Sequence, residues 1–303
     1  MGEKVTWCAF SNRRSATPMR SAGMPSYDRI IRMRVAIQGV SGSFHHVAAQ
    51  QWFGDTTTVV PADSFAEVFG ILNRHDAEVA VVAIENSLYG SINQVYDLIE
   101  SHRYPIVGEI HLPIHQQLIG LPGYTSITRI YSHPVALAQC EQYLDAHFPN
   151  AERIEYHDTA AAVELIKELG DRHYAAIAGT QAAIAHGLPI IAGDIEDNPA
   201  NFTRFLVINP HGGAPEQANR TSLVLRTNHT PGALAKVLSA FATANINLAK
   251  LQSRPIIGSP WTYQFYLVVD AAGSQLKEVL RNVEPLTTSL TILGQYRSDE
   301  KQA

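Results

Sequence analysis

Where a polar stretch turns into a strongly apolar run, IEDNPANFTRFLVI at residues 195–208, a hydroxyl and a permanent cation stand side by side as Thr203 and Arg204. Such a pair can donate hydrogen bonds to a departing oxygen and hold a carboxylate without a metal. The same stretch also reads as a loop entering a buried strand, and its residue types alone favour that structural reading. Other chemistry-bearing residues are weaker. His111 and His115 have the four-residue spacing of a zinc-binding helix, but Pro113 interrupts them and the HExxH glutamate is missing, so they read as a surface or strand pair. Gly39-Val40-Ser41-Gly42-Ser43 has the spacing of neither the dinucleotide fingerprint, the P-loop nor the GxSxG elbow. Cys140 falls in a helix expected from about Pro134, with nothing nearby to lower its pKa, and reads as a packing residue. Asp194, Glu196 and Asp197 make an acidic loop without regular ligand spacing, a solvated face rather than a metal site. Neither a metal nor a cofactor is expected.

The elements that must position these residues can be read from hydrophobic period. RVAIQG after Met33 is a short strand and turn, with a helix expected over 45–53, and apolar runs recur at 58–61, 79–84, 106–111, 127–131, 153–156, 175–178 and 190–192. Between them lie helical periods such as Ile92, Val95, Leu98 and Ile99, or Ala160, Val163, Ile166 and Leu169. Strands alternating with helices predict an α/β domain of βαβ units with the sheet covered on both faces. Ser41 and Ser43, Ser87 with Gly90 and Ser91, Ser132 before Pro134, Thr159 and Thr180 are expected to cap helices. In such a sheet the helix N-termini gather at the carboxyl ends of the strands, around a crevice suited to an anion.

A chain of 303 residues predicts two domains. With 46% hydrophobic and 17% charged residues it is an ordinary globular protein, and a formal charge of −5 without a basic stripe argues against nucleic acid. No apolar run approaches the roughly 20 residues needed to span a bilayer. Cys8 and Cys140 are the only cysteines, which points to a reducing, cytoplasmic setting. Residues 1–32 are rich in Arg and poor in acid, without a secretory apolar core; an organellar transit peptide shares this character, but a flexible extension upstream of a start at Met33 is expected. The Pro- and Gly-rich PHGGAPEQANR after Asn209 is a linker. Beyond it, the strand TSLVLRT leads to a helix capped by Thr230 with Pro231 first and an apolar face of Leu234, Val237, Leu238 and Phe241. A hairpin of 247–254 with 263–270, a helix near 274–283 and a strand near 290–296 complete a βαββαβ, ferredoxin-like order.

Six segments in order carry a resemblance: GVSGSFHHVAA (39–49), IENSLYGSIN (84–93), SHPVALAQC (132–140), NFTRF (201–205), PGALAKVL (231–238) and NLAKLQSRP (247–255). Together they resemble the prephenate dehydratase family, whose catalytic domain is followed by an ACT regulatory domain, and the resemblance runs from Met33 to Tyr296. It implies a two-lobed, periplasmic-binding-protein-like catalytic domain over 33–208, with lobe 1 at 33–110 and 190–208 and lobe 2 at 111–189. A linker at 209–220, an ACT domain at 221–297 and a tail at 298–303 complete the chain. The implied activity is a lyase reaction of phenylalanine biosynthesis, the decarboxylating dehydration of prephenate to phenylpyruvate, with phenylalanine as allosteric effector and a homodimer or homotetramer as the assembly.

By the same resemblance Thr203 is the donor to the departing hydroxyl, with Arg204 for charge and Asn86 on the facing wall. Ser87, Gly90, Ser91 and Phe205 line the site, Ser132 and Gln139 bind substrate from the second lobe, and Glu85 and His133 equally serve to orient neighbours. Gly232, Ala233 and Leu234 with Gln252, Ser253, Arg254 and Pro255 would hold phenylalanine. Two positions depart from the family pattern. His45 stands where a small hydroxyl residue is usual, and Gln252 stands where a glutamate is. Arogenate in place of prephenate, or a non-catalytic sensor of amino acids and solutes, are the alternative readings.

Overall fold

The computed structural model describes residues 5–7, 33–256 and 258–298. In chain order the strands are β1 (Val5–Trp7), β2 (Arg34–Gln38), β3 (Thr58–Ala62), β4 (Val79–Asn86), β5 (Gly90–Ser91), β6 (Ile106–Pro113), β7 (Gln117–Gly120), β8 (Arg129–Ser132), β9 (Glu152–Glu155), β10 (Tyr174–Ala178), β11 (Ile190–Ala192), β12 (Phe202–Ile208), β13 (Arg220–Arg226), β14 (Leu248–Pro255), β15 (Tyr263–Val269) and β16 (Ser289–Tyr296). The α-helices are α1 (Phe44–Phe53), α2 (Phe65–Asn73), α3 (Asn93–His102), α4 (Pro134–Gln139), α5 (Glu141–His147), α6 (Thr159–Leu169), α7 (Thr180–His186), α8 (Ala233–Thr243) and α9 (Gly273–Val283). They fall into two compact units, Arg34–His102 with Glu109–Pro210, and Arg103–Gly108 with His211–Asp299.

The first unit holds a sheet for each lobe. One has the order β3-β2-β4-β12-β6 and the other β11-β7-β10-β8-β9. β4 is central in the first, and Val79 to Ile84 are all buried, which is why its sequence is a continuous apolar run rather than an alternating one. β10 shows the same principle residue by residue: Ala175 and Ile177 pack into the core of Ala136, Leu137 and Leu144, while Ala176 and Ala178 pack into that of Ala160, Val163 and Ile166. Small residues there let helices cover both faces closely.

Several expectations are corrected. β11 pairs with β7, Ile190 opposite Ile119 and Ala192 opposite Leu118, so residues 190–192 belong to the second lobe's sheet and not to the first lobe. Its apolar side chains find that lobe's core there, with Ile191 and Ala192 packed against it. β6 keeps His111 in the first lobe's sheet. The chain therefore crosses at 114–116 and returns over 193–201.

Of the expected caps, Ser43 accepts from the His46 N–H and caps α1. The others move by one residue or disappear. His133, Asp158 and Gly179 are the N-cap residues of α4, α6 and α7, displacing Ser132, Thr159 and Thr180. Asp158 takes the role from Thr159 because its carboxylate reaches the Ala161 N–H at 2.9 Å. Ser87 lies in a turn, and Gly90 and Ser91 form β5 against β4.

In the second unit β16, β13, β15 and β14 form an antiparallel sheet in that order, with α8 and α9 on one face over Leu223, Leu225, Leu267 and Ile292. This is the βαββαβ order expected. α8 starts at Ala233 with Gly232 as N-cap at φ +78°, not at Pro231 with a Thr230 cap. The left-handed backbone at Gly232 places Thr230 and Pro231 in a turn ahead of the helix, closed by a bond from the Ala233 N–H to the Thr230 carbonyl. Val5–Trp7, expected to be part of a flexible extension, pairs in parallel with β16 as β1; Val-Thr-Trp has the β-branched and aromatic character that an edge accepts. The rest of residues 1–32, Cys8 included, and the tail from residue 299 lie outside the described residues. No helix among the described residues is long and apolar enough to cross a membrane.

Candidate active site

β12 and β4 build one wall. Thr203 pairs with Asn86 and Arg204 with Glu85, and then the register shifts so that Phe205 lies opposite Ala83. The extra residue in β4 brings both Asn86 and Ala83 to the cavity side, three positions apart, to match Thr203 and Phe205 on β12. Side chains alternate along a strand, so Arg204 points to the other face.

Asn86 holds the wall together. The two hydrogens of its Nδ2 are shared among Asn201 Oδ1 at 2.7 Å, Thr203 Oγ1 at 3.1 Å and the Phe202 carbonyl at 3.1 Å, while its Oδ1 accepts the N–H groups of Leu88 and Tyr89. Because Thr203 Oγ1 accepts from Asn86, its own hydrogen is available to the cavity. Accepting one bond also strengthens the hydroxyl as a donor of the next.

The cavity is about 360 Å³ and draws on both lobes. Thr203, Asn86, Gly90, Ser91, Phe205 and Gln139 of the expected site line it. Three others do not. Arg204 is buried between carboxylates, its Nε 2.8 Å from Glu85 and Nη1 3.7 Å from Glu109. Its charge is thus compensated behind the wall, away from the cavity lining. Ser87 staples the return segment, donating to the Ala200 carbonyl at 3.0 Å and accepting from the Phe202 N–H at 2.9 Å. Ser132 is fully buried and donates to the Ile177 carbonyl at 2.6 Å.

Other residues line the cavity besides the expected substrate contacts. His45 is buried, its Nε2 accepts the Ala83 N–H at 3.1 Å, and its ring stands edge-on to Phe205. Burial pushes its pKa down to about 3. The ring is neutral and, with Nε2 as acceptor, carries its hydrogen on Nδ1. His133 caps α4 through Nδ1, which accepts the Val135 N–H at 3.2 Å; burial lowers its pKa too, leaving the hydrogen on Nε2. Gln116 donates to Gln139 at 3.3 Å while its buried Oε1 has no partner among the described residues. Asp158, the cap of α6, also faces the cavity, and burial raises its pKa. No lysine or arginine lines the cavity among the described residues. His45 and His133 fall within motifs legible in the sequence, as does Asn201, which is a partner of Asn86 and not a lining residue; Gln116 and Asp158 become neighbours of Thr203 by folding alone.

Glycine permits the lobes to approach. A Cβ on Gly39, at φ +90°, would stand 2.7 Å from Asp158 Oδ2, and one on Gly42, at φ +89°, 2.9 Å from the Ala182 Cα. The acidic loop, expected to be a solvated face, instead latches the return crossing. Glu196 accepts the Gln116 N–H and pairs with His115, both at 2.8 Å, and Asp197 accepts the N–H groups of Gln142 and Tyr143 at the start of α5. His111 is drawn to Glu109 at 3.6 Å, so the two histidines have separate partners. Cys140 is buried as expected, and burial drives its thiol pKa up.

In the second unit a concavity of about 490 Å³ is lined by residues 227–235, Gly232, Ala233 and Leu234 among them, with Tyr263 and Phe265. Gln252, Ser253, Arg254 and Pro255 do not line it. They lie on the edge strand β14, where Ser253 and Pro255 are the cross-strand neighbours of Phe265 and Tyr263.

Comparison with known proteins is consistent along the chain. The family model described as prephenate dehydratase matches residues 35–212, and that described as ACT domain matches 221–285. A bifunctional chorismate mutase/prephenate dehydratase of Stutzerimonas stutzeri is 37% identical over 272 residues, covering 87% of this chain and 73% of the relative. Arogenate dehydratase 5, chloroplastic, of Arabidopsis thaliana is 38% identical over 289 residues, covering 88% and 68%. Among solved structures, prephenate dehydratase of Arthrobacter aurescens in complex with L-Phe has a TM-score of 0.81 at 30% identity, covering 89% of this chain and 92% of that one.

Proposed function

The chain belongs to the prephenate dehydratase family, its dehydratase domain followed by an ACT domain, and from that premise we propose that it converts prephenate to phenylpyruvate, carbon dioxide and water. In this reaction the C1 carboxylate leaves as carbon dioxide, the electron pair of the broken C–C bond moves through the ring to make it aromatic, and the C4–O bond breaks, the oxygen taking up one proton to leave as water. The observation that carries the reading is the Thr203 hydroxyl, which accepts from Asn86 and so has its hydrogen free for the departing oxygen. A threonine is too weak an acid to surrender its proton outright, so its contribution is a positioned hydrogen bond that strengthens as charge develops on that oxygen.

The remaining walls fit the rest of the substrate. Neutral donors, namely His45 Nδ1, His133 Nε2 and the amides of Gln116 and Gln139, suit carboxylates and a keto oxygen. A carboxylate that must leave as neutral carbon dioxide gains nothing from a tight ion pair in the ground state. A wall lined by Phe65, Phe205 and Ile114 without a fixed cation suits that step.

Phenylalanine, proposed as effector, fits the concavity at the start of α8, where backbone N–H groups after Gly232 meet a carboxylate and Tyr263 and Phe265 offer an apolar wall. The L-Phe complex of the Arthrobacter aurescens relative supports it. The proposal includes a homodimer or homotetramer, consistent with the exposed edge of β14.

One observation favours a second substrate with the same chemistry. Asp158 puts a carboxylate in the cavity, which suits arogenate, the amino counterpart of prephenate, and relatives named arogenate dehydratase match the chain. The test is formation of phenylpyruvate from prephenate by wild type and Thr203→Val, each with and without phenylalanine. Turnover lost in the variant and altered by phenylalanine is expected. Wild type and variant equally inert toward prephenate and arogenate would overturn the proposal.

A further inference from the structure

Resting on that proposed activity, we infer that Asp158 is the residue that reads the substrate's side chain, its carboxylate pairing with the ammonium of arogenate and disfavouring the keto group of prephenate. The placement of the two lobes supports this. Thr203 is on β12 in the first lobe and Asp158 begins α6 in the second, and both line the same cavity. In the substrate ring the C4 hydroxyl is para to C1, which carries the side chain. With that hydroxyl at Thr203, the side chain extends away from β12 toward the second lobe.

Asp158 is a carboxylate in need of a cation. It is 9% exposed, and no ion pair involving it occurs among the described residues. Its ionisable neighbours are His133 and His157, and burial disfavours the charged form of His133. The N-terminus of α6 partly compensates, through the N–H groups of Ala161, at 2.9 Å, and of Ala160. The residual cost of a buried, unpaired charge is relieved by an ammonium and made worse by a second anion. Prephenate brings two carboxylates and no cation, whereas arogenate brings the same two carboxylates and an ammonium. A site polar group matched to one substrate and left unpaired by its analogue is the strongest source of discrimination between near isosteres.

The position is also held fixed. Asp158 Oδ2 fills the space beside Gly39 that a side chain would take, 2.7 Å from where a Cβ would stand. A glycine at φ +90° on the first lobe thus accommodates a carboxylate from the second.

The test compares kcat/KM for arogenate and for prephenate in the wild type, Asp158→Asn and Asp158→Ser, with folding checked by thermal melting. Asparagine and serine both serve as helix caps, so the start of α6 is retained. We expect the arogenate-to-prephenate ratio of kcat/KM to fall at least tenfold in both variants, with arogenate losing and prephenate gaining. A ratio within twofold of wild type, including a parallel fall for both substrates, would overturn the role of Asp158 and leave the dehydratase standing. A wild type that turns over neither substrate would overturn the proposed activity and this inference with it.

Discussion

Replacing Asn86 by aspartate changes the shape of the side chain little and reverses the polarity of its inner edge. The two N–H groups of Leu88 and Tyr89 that Asn86 Oδ1 accepts keep an acceptor, but Asn201 Oδ1, the Phe202 carbonyl and Thr203 Oγ1, which share the two hydrogens of Nδ2, have no donor left. Asn201 can adjust by turning its amide, since its Nδ2 is buried without a partner among the described residues. Thr203 adjusts by donating its hydrogen to the new carboxylate at the present 3.1 Å separation, and that hydrogen is then withdrawn from the cavity. A hydrogen bond to a charged group contributes about 1.5–3 kcal/mol, and turning the hydroxyl back toward the substrate costs about as much, or roughly 10- to 150-fold in kcat. Removing the hydroxyl in Thr203→Val loses the donor altogether, about 100- to 1000-fold. If Asn86 acts through Thr203, the double variant is no slower than Thr203→Val alone. Independent action predicts the product of the two losses, about 10³- to 10⁵-fold. Steady-state formation of phenylpyruvate from prephenate, with urea unfolding to set aside a loss of fold, distinguishes the two. Losses that multiply would refute the coupling drawn between these side chains.

Further perturbations address other parts of the structure. His45 has its pKa depressed to about 3 in the folded protein, so the unfolded chain binds more protons below about pH 6.5, and stability is present above that pH and lost as pH falls toward 3. Urea unfolding between pH 6 and 4 should show a pH slope that His45→Gln reduces by up to about 1.4 kcal/mol per pH unit; an unchanged slope would show that His45 does not carry it. Gly42→Ala adds left-handed strain, about 1–2 kcal/mol, to a backbone clash with Ala182, whereas Gly170→Ala, with nothing within 4 Å at φ +67°, adds strain alone. The first should lose about 1–3 kcal/mol more than the second by urea unfolding, and equal losses would mean that the lobes do not meet closely at that loop. If phenylalanine is an allosteric effector, its calorimetric affinity should shift about 5- to 150-fold when a substrate analogue is bound; identical affinities would remove the linkage.

Features that arise from local period and composition were legible in the sequence alone. The alternation of apolar runs and helical faces defined the α/β domain, the run of Val79 to Ile84 was readable as a buried strand, and the same periodicities gave the βαββαβ order of the second unit. Thr203 stood out only through the resemblance of NFTRF to the family, since the junction of a polar loop with an apolar run reads by itself as a loop entering a strand; Ser43 was legible because a cap is a local interaction between residues three apart. Caps elsewhere slipped by a residue because several neighbouring side chains could serve, and only backbone angles select among them. Ser132 shows the limit: its type suits both a cap and a substrate contact, but the fold gives its hydroxyl to the Ile177 carbonyl 45 residues away.

Which functional types face the cavity was settled by tertiary packing. One extra residue in β4 opposite β12 turns Asn86 and Ala83 to the same side as Thr203 and Phe205, and no local pattern announces such a bulge. Strand alternation then sends Arg204 behind the wall, where Glu85 and Glu109 take its charge. Lobe contact at Gly39 brings Asp158 from 119 positions along the chain, and the same burial that makes His45 a neutral donor leaves Asp158 a carboxylate in want of a cation. Residue identity fixes what a group can donate or accept; burial and the partners supplied by distant segments fix whether it is still free to do so.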